Sequence, residues 1–208
     1  MSASRATSHR EVECKWRIDG RDQAAACALF CQLAGPPEHL QQRNRFFDTA
    51  EGHLRAQATS LRLRQENARL LLTCKRRVAK RDGALHQQQE EESWLNSVLW
   101  NLYSEAPLIP HGALPLPPQA RHLLGSRPLC NMGGFDNRRL QWHWDRDVLC
   151  LDCTDFPRGQ REYEIEIELG GTRDQDWWWH TLRQGGIAMS DQSETKLHRY
   201  LRLQKEQR

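Results

Sequence analysis

The sequence predicts an α+β fold in which about eight antiparallel strands close into a β-barrel and a few helices pack outside it. Three observations predict it. Apolar and charged residues alternate in short segments along most of the 208 residues, which is the two-residue period of a strand. Gly, Pro, Asn and Asp clusters punctuate those segments, and few helical stretches stand between them. A sheet of that many strands loses its exposed edges only by closing on itself.

The elements follow in order. Residues 1–10 read as a disordered lead; their Ser and Arg content has the flavour of a transit peptide, but the stretch is very short. One domain is expected over 11–203, with 204–208 as a tail. Glu11-Val-Glu-Cys-Lys15 alternates as a strand. Asp19-Gly-Arg-Asp22 is a turn and cap, and the Ala-rich stretch 23–33 is a helix that stops at Gly35-Pro-Pro. Strands are expected over 41–48, 60–65, 69–77 and 84–92, then an amphipathic helix over 93–103. Residues 107–118 hold five of the nine prolines and read as a connecting loop. Three successive strands are expected over 135–145, 147–155 and 161–169. A Trp-bearing helix over 174–185 and a polar–apolar segment over 193–203 close the chain.

Composition excludes several classes. A net charge of +3 is too mild to argue for a nucleic-acid polymer as partner. Seven cysteines, an odd number lying within strand and helix patterns, argue against a disulfide framework and for a reducing, cytoplasmic setting. No stretch approaches the roughly 20 apolar residues that cross a bilayer as a helix. A monomer is expected.

The charged faces carry the chemistry. Along Arg161-Glu-Tyr-Glu-Ile-Glu-Ile-Glu168, alternation puts Glu162, Glu164, Glu166 and Glu168 on one surface, and it puts Glu11, Glu13 and Lys15 together on another strand. Arg62 and Arg64 share a face opposite Leu61 and Leu63, and Thr73, Lys75 and Arg77 share another. Rows of carboxylates repel unless cations lie opposite, and hard oxygen donors suit divalent metals. Guanidinium groups grip phosphate bidentately, while Lys acts as a point charge. Carboxylates for Mg²⁺ or Mn²⁺ with Arg and Lys for phosphate describe a phosphoanhydride site.

Other features read as structural. Glu162 and Glu168, at the strand ends, are expected in solvent. Cys150 and Cys153 have no second pair and read as structural thiols, as do Cys27 and Cys31, one helical turn apart. The nine His show no ligand spacing and read mostly as surface residues. Of Trp177, Trp178 and Trp179, one or two should pack on the barrel exterior. Arg76-Arg77 with Lys80-Arg81 reads as a solvated hairpin end.

Taken in order, Glu11-x-Glu13-x-Lys15, Phe46-Phe47-Asp48-Thr49 with Leu54-Arg55, Ser60-Leu-Arg-Leu-Arg64, Leu72-Thr-Cys-Lys75, Glu90-x-Glu92, Gly134-Phe-Asp-Asn-Arg-Arg139, Leu151-Asp152, Tyr163-Glu-Ile-Glu166 and Lys196 resemble the CYTH superfamily, the triphosphate tunnel metalloenzymes. The likeness is nearest to the plant and algal inorganic tripolyphosphatase-like branch. It implies an eight-stranded tunnel open at both ends. It implies that Lys15, Arg62, Arg64, Lys75, Arg139 and Lys196 hold a triphosphate. Glu11, Glu13, Asp152, Glu164 and Glu166 are implied as ligands of Mg²⁺ or Mn²⁺, two ions in all. Glu90, Glu92 and Lys75 are implied in catalysis. Many members carry a basic residue where this chain has Gln88. The implied function is metal-dependent hydrolysis of inorganic tripolyphosphate or another triphosphate. The alternatives are a thiamine triphosphatase, a class IV adenylate cyclase, or a non-catalytic polyphosphate- or nucleotide-binding module.

Overall fold

The computed structural model describes residues 7–80 and 83–206. In chain order they form β1 (Thr7–Ile18), α1 (Gln23–Ala34), β2 (Glu38–Asp48), α2 (His53–Ala56), β3 (Thr59–Glu66), β4 (Arg69–Lys80), β5 (Leu85–Leu95), α3 (Val98–Tyr103), β6 (Leu108–Ile109), α4 (Pro118–Leu124), β7 (Leu129–Gly133), β8 (Asp136–Trp144), β9 (Asp147–Asp155), β10 (Arg161–Glu168), α5 (Gln175–Gln184), β11 (Met189–Asp191) and α6 (Lys196–Lys205). Strands bond in the order β3-β4-β5-β1-β10-β9-β8-β2, and β2 pairs back to β3. The order therefore returns to its start: a closed eight-stranded antiparallel barrel with β6, β7 and β11 added and the helices outside, as the alternation predicts.

The described residues divide into two compact units, one of 7–10, Gln42–Val78 and Gln88–Phe135, the other of Glu11–Gln41, 79–80, 83–87 and 136–206. In the second unit, α1 and α5 cover the outer face of β1 and β8–β10. Trp16, Phe30, Trp142, Ile165 and Trp178 fill that core. Phe30 meets the rings of Trp142 and Trp178 edge-on at 5.2 and 6.4 Å, geometry that adds about 0.5–1.5 kcal/mol per pair beyond area burial. Buried Asp147 ties the connection to α5: it accepts from the amides of Gly170 and Gly171 and from the Trp178 indole. A Cβ on Gly170 would lie 2.2 Å from the Arg146 carbonyl oxygen, so that approach requires glycine. Asp174 caps α5 by accepting from the Trp177 amide. Of the three tryptophans only Trp178 is buried; Trp177, stacked on Trp144 of β8, and Trp179 are exposed.

In the first unit, Phe47, Leu61, Leu63, Leu72, Trp100 and Leu124 form the core under α3 and α4. Asp48 accepts from the amides of Thr49, Leu54 and Arg55, which fixes the one-turn helix α2. Gly134 lies so close to β2 that a Cβ would stand 1.8 Å from the Asn44 carbonyl oxygen.

Several boundaries differ from the sequence reading. Residues 7–10, assigned to a disordered lead, begin β1, and residues 1–6 lie outside the described residues. The expected helix over 93–103 starts only at Val98, because Ser93–Leu95 continue β5 with Ser93 buried and Trp94 outward. The proline-rich 107–118 stretch contains β6 and leads into α4. Arg81 lies outside the described residues, as does the side chain of Lys80.

Candidate active site

The second unit gathers most of the acidic residues singled out by alternation. Glu13, Lys15, Arg139, Asp152, Glu164 and Glu166 are buried, where a sheet face of that composition survives only with its charges paired. Lys15 Nζ lies 3.0 Å from Glu13 and 2.8 Å from Glu166. Arg139 forks onto Asp152, donating from Nε at 2.8 Å and Nη2 at 2.7 Å, and also bonds Glu166. Lys196, from the first turn of α6, reaches Asp152 at 2.8 Å, Glu166 at 2.5 Å and Glu164 at 3.2 Å. Glu11 is buried on the same face of β1 as Glu13 and Lys15.

Strand register explains the convergence. Arg139 is opposite Asp152, Asp152 opposite Glu164, and Glu166 opposite Lys15. Asn137 then orients Asp152, donating to Oδ1 at 3.0 Å while accepting from Thr154 at 2.8 Å.

Protonation follows from the pairing. Burial alone would raise the Asp152 carboxyl, but Arg139 and Lys196 hold it well below the usual carboxylate range. Lys15, Lys196 and Arg139 do the same for Glu166 against its burial. At Glu164 burial prevails over Lys196 and Arg199, and its pKa is raised. Burial opposes the charge on Lys15, yet Glu13 and Glu166 lift its pKa well above the ordinary value. Asp152, Glu166 and Lys15 are thus held in their charged forms, and of the three carboxyls Asp152, Glu164 and Glu166, Glu164 is the most easily protonated.

The first unit holds the other basic set. Lys75 Nζ is 2.8 Å from Glu90. Arg62 touches Thr73 Oγ1 at 3.5 Å, and Thr73 donates to Glu92 at 3.4 Å. Arg64 donates from Nε to Asn44 Oδ1 at 2.9 Å, and Asn44 is itself fixed by donating to the Phe135 carbonyl. Gln88 is half-buried and shares strand parity with Glu90 and Glu92.

The CYTH domain matches residues 9–200. The chain belongs to the CYTH family. Its fold is similar to an adenylyl cyclase candidate from Hippeastrum described as having a dominant triphosphatase activity: TM-score 0.76, 24% identity, 91% of this chain and 94% of that one. It is also similar to an adenylate cyclase candidate from Bacillus halodurans: TM-score 0.66, 24% identity, 93% and 98% covered. A chain of the Schizosaccharomyces pombe Mediator head module shares the fold at TM-score 0.55 and 8% identity, over 88% and 98%. The comparison with curated proteins found no match.

Within this CYTH chain, some residues of the motifs are scaffold. Asp48 spends its oxygens on α2, Gly134 allows a close approach, and Asn44 and Asn137 aim Arg64 and Asp152. The donors of the second unit fit a divalent metal in kind, being hard carboxylate oxygens. Its ion pairs join the carboxylates of Glu13, Asp152, Glu162, Glu164 and Glu166 to Lys15, Arg139, Lys196 and Arg199. Yet among the described residues no three acidic, His or Cys side chains converge as a ready coordination sphere, because Lys and Arg already occupy the oxygens.

Four residues escaped the sequence reading. Arg199 is buried, bonding Glu164 and lying 3.2 Å from Glu162; its spacing of three from Lys196 on a helix was the available signal. Glu162 is therefore ion-paired and largely covered, and Glu168 is half-buried; neither is the solvated strand end expected. His86, read as a surface residue, is buried with Nε2 2.8 Å from the Gln192 carbonyl oxygen. Burial and then Lys15 depress its pKa. Cys150 and Cys153 lie on opposite faces of β9, which accords with the structural reading. No helix among the described residues is long and apolar enough to cross a membrane.

Proposed function

We propose that the chain is a divalent-metal-dependent triphosphatase that releases the terminal phosphate of inorganic tripolyphosphate. The observation that carries it is the buried cluster in which Lys15, Arg139 and Lys196 are each held on carboxylates. These cations are fixed in place and ionised, and a polyanion offers them replacement oxygens. The triphosphatase activity described for the Hippeastrum neighbour and the order of the sequence motifs support placement beside the inorganic tripolyphosphatase-like branch.

Under this reading Lys15, Arg139 and Lys196, together with Arg62, Arg64 and Lys75, bind the triphosphate oxygens. Glu11, Glu13, Asp152, Glu164 and Glu166 would hold Mg²⁺ or Mn²⁺. The ion supplies charge neutralisation and a lower pKa for the attacking water. Glu90 or Glu92 accepts that water's proton as its oxygen bonds the terminal phosphorus and the bond to the diphosphate leaving group breaks. Lys75, 2.8 Å from Glu90, neutralises charge gathering on the transferred group. Positioning and electrostatics supply most of the acceleration.

Phosphate release from tripolyphosphate, thiamine triphosphate and ATP, each with Mg²⁺, Mn²⁺, Ca²⁺ or chelator, tests the reading. Tripolyphosphate should be preferred, activity should vanish with chelator, and Glu11→Gln with Glu13→Gln should abolish it in a folded protein. Cyclic AMP from ATP, or metal-independent turnover, would replace this reading.

A further inference from the structure

We propose that the outer face of β8–β10 carries a separate binding site for a small oxyanion with a flat apolar body, an aryl phosphate or aryl carboxylate. A cavity of about 290 Å³ lies there, lined by the first turn of α1, the start of β2 and the three strands. Strand parity sets it on the side of the sheet away from the ionic cluster: Arg138, Leu140, Leu151 and Tyr163 alternate with Asn137, Arg139, Asp152 and Glu164. Arg139 borders the cavity too, but its guanidinium is committed to Asp152 and Glu166.

The lining is amphipathic. Leu140 and Leu151 supply apolar surface, and the Tyr163 ring is backed by Gly20, where a Cβ would stand 2.8 Å away. Arg138 and Arg161 supply the charge. Both are tethered to Asp155, at 3.7 and 2.5 Å, and Arg138 also donates to Cys153 Sγ at 3.1 Å. Two guanidinium groups share the Asp155 carboxylate, and the register sets exposed Asp136 opposite Asp155 on the same face, so the patch is near neutral and the guanidinium N–H groups, not a net charge, offer the recognition. Each side chain is about half exposed, at 48% and 49%, and each guanidinium has five N–H donors, so donors remain for an incoming oxyanion. Such forks bind phosphate or carboxylate through paired N–H groups, while Tyr and Leu accept an aromatic face. The volume lies just below the range of about 300–1,000 Å³ usual for small-molecule pockets, which suits one ring plus one oxyanion. A triphosphate, with roughly four charges, is poorly matched to a face where Asp136 and Asp155 offset Arg138 and Arg161. The site does not depend on the proposed hydrolysis.

Calorimetric titration of the full chain with phenyl phosphate, benzoate, inorganic phosphate and phenol tests it. Phenyl phosphate or benzoate should bind saturably and more tightly than either inorganic phosphate or phenol, and which of the two leads identifies the oxyanion. Arg138→Gln with Arg161→Gln should weaken the better probe about tenfold or more. Tyr163→Leu, which keeps both guanidinium groups, should weaken the aryl probes and leave inorganic phosphate unchanged. Saturating tripolyphosphate should not displace the probe. Absence of saturable binding, unchanged affinity in the double variant, or complete displacement by tripolyphosphate would overturn the proposal.

Discussion

Arg62 differs from the other cations of the proposed site in what it lacks. Among the described residues its one bond is the long contact to Thr73, and its Nε is buried without a partner. A buried donor left unpaired costs about 1–3 kcal/mol, which an oxyanion ligand would relieve. Arg62→Ala should therefore weaken tripolyphosphate binding by about 1.5–3 kcal/mol while barely lowering stability. Equal affinity by calorimetry would remove Arg62 from the site. His86 makes a pH prediction. Burial depresses its folded-state pKa below the ordinary histidine value of 6.5, so below that pH the unfolded chain takes up a proton that the folded chain resists. Stability from this group is complete above about pH 6.5 and declines as pH falls. His86→Gln, which keeps a donor for the Gln192 carbonyl, should shrink the loss of urea midpoint between pH 8 and pH 5.5. A parent–variant difference that stays constant across that range would refute it. Alternation in the sequence told which side chains share a face, as for Glu13 and Lys15 or Arg62 and Arg64. It could not tell that Glu162 meets Arg199, a contact between residues distant in sequence, whereas His86 shares strand parity with Gln88 and Glu90, a signal that reading the histidines by ligand spacing passed over.

Among the elements, α6 matters most to the site. Thr195 caps it by accepting from the His198 amide, and Lys196 and Arg199, three apart, both turn to the carboxylates of β10. Removing one partner of a buried ion pair leaves an uncompensated charge and costs about 3–5 kcal/mol. Arg199→Met should destabilise the chain by up to that order, because Glu162 loses its ion pair with Arg199 and Glu164 is left with Lys196. Arg199→Met with Glu164→Gln should recover a good part of the loss, and the coupling is read from denaturant midpoints in a double-mutant cycle. Additive effects would mean that the two side chains act independently. The sequence marked residues 193–203 only as a polar–apolar segment, although a capping Thr and an i, i+3 cationic pair were present. The long strands were legible because eight or more residues display a period: residues 147–155 match β9 residue for residue. Short elements display none. Four-residue α2 and two-residue β6 exist through tertiary bonds, such as the three amides accepted by Asp48, and nothing in their own composition announces them.

At the scale of the whole chain, motif order made the family legible from Glu11 to about Tyr200, against a CYTH domain spanning residues 9–200. Fold alone does not settle activity, since a Mediator head subunit shares it. What separates a working triphosphate site from an inherited scaffold is whether the polyanion binds the folded chain and through which cations. A ligand that binds only the folded state stabilises it by about 2.7 kcal/mol at a hundred times its Kd. For a chain of about 200 residues, where 1 kcal/mol moves the midpoint by about 2–4 °C, that corresponds to a rise of roughly 5–11 °C. Thermal unfolding with chelator, so that the ligand is not consumed, should show such a rise with tripolyphosphate and a much smaller one with orthophosphate. Lys196→Ala should remove most of it, because Lys196 joins Asp152, Glu164 and Glu166 at the centre of the cluster. A tripolyphosphate shift that survives intact in Lys196→Ala would show that the buried ionic cluster stabilises the fold without serving as the phosphate site.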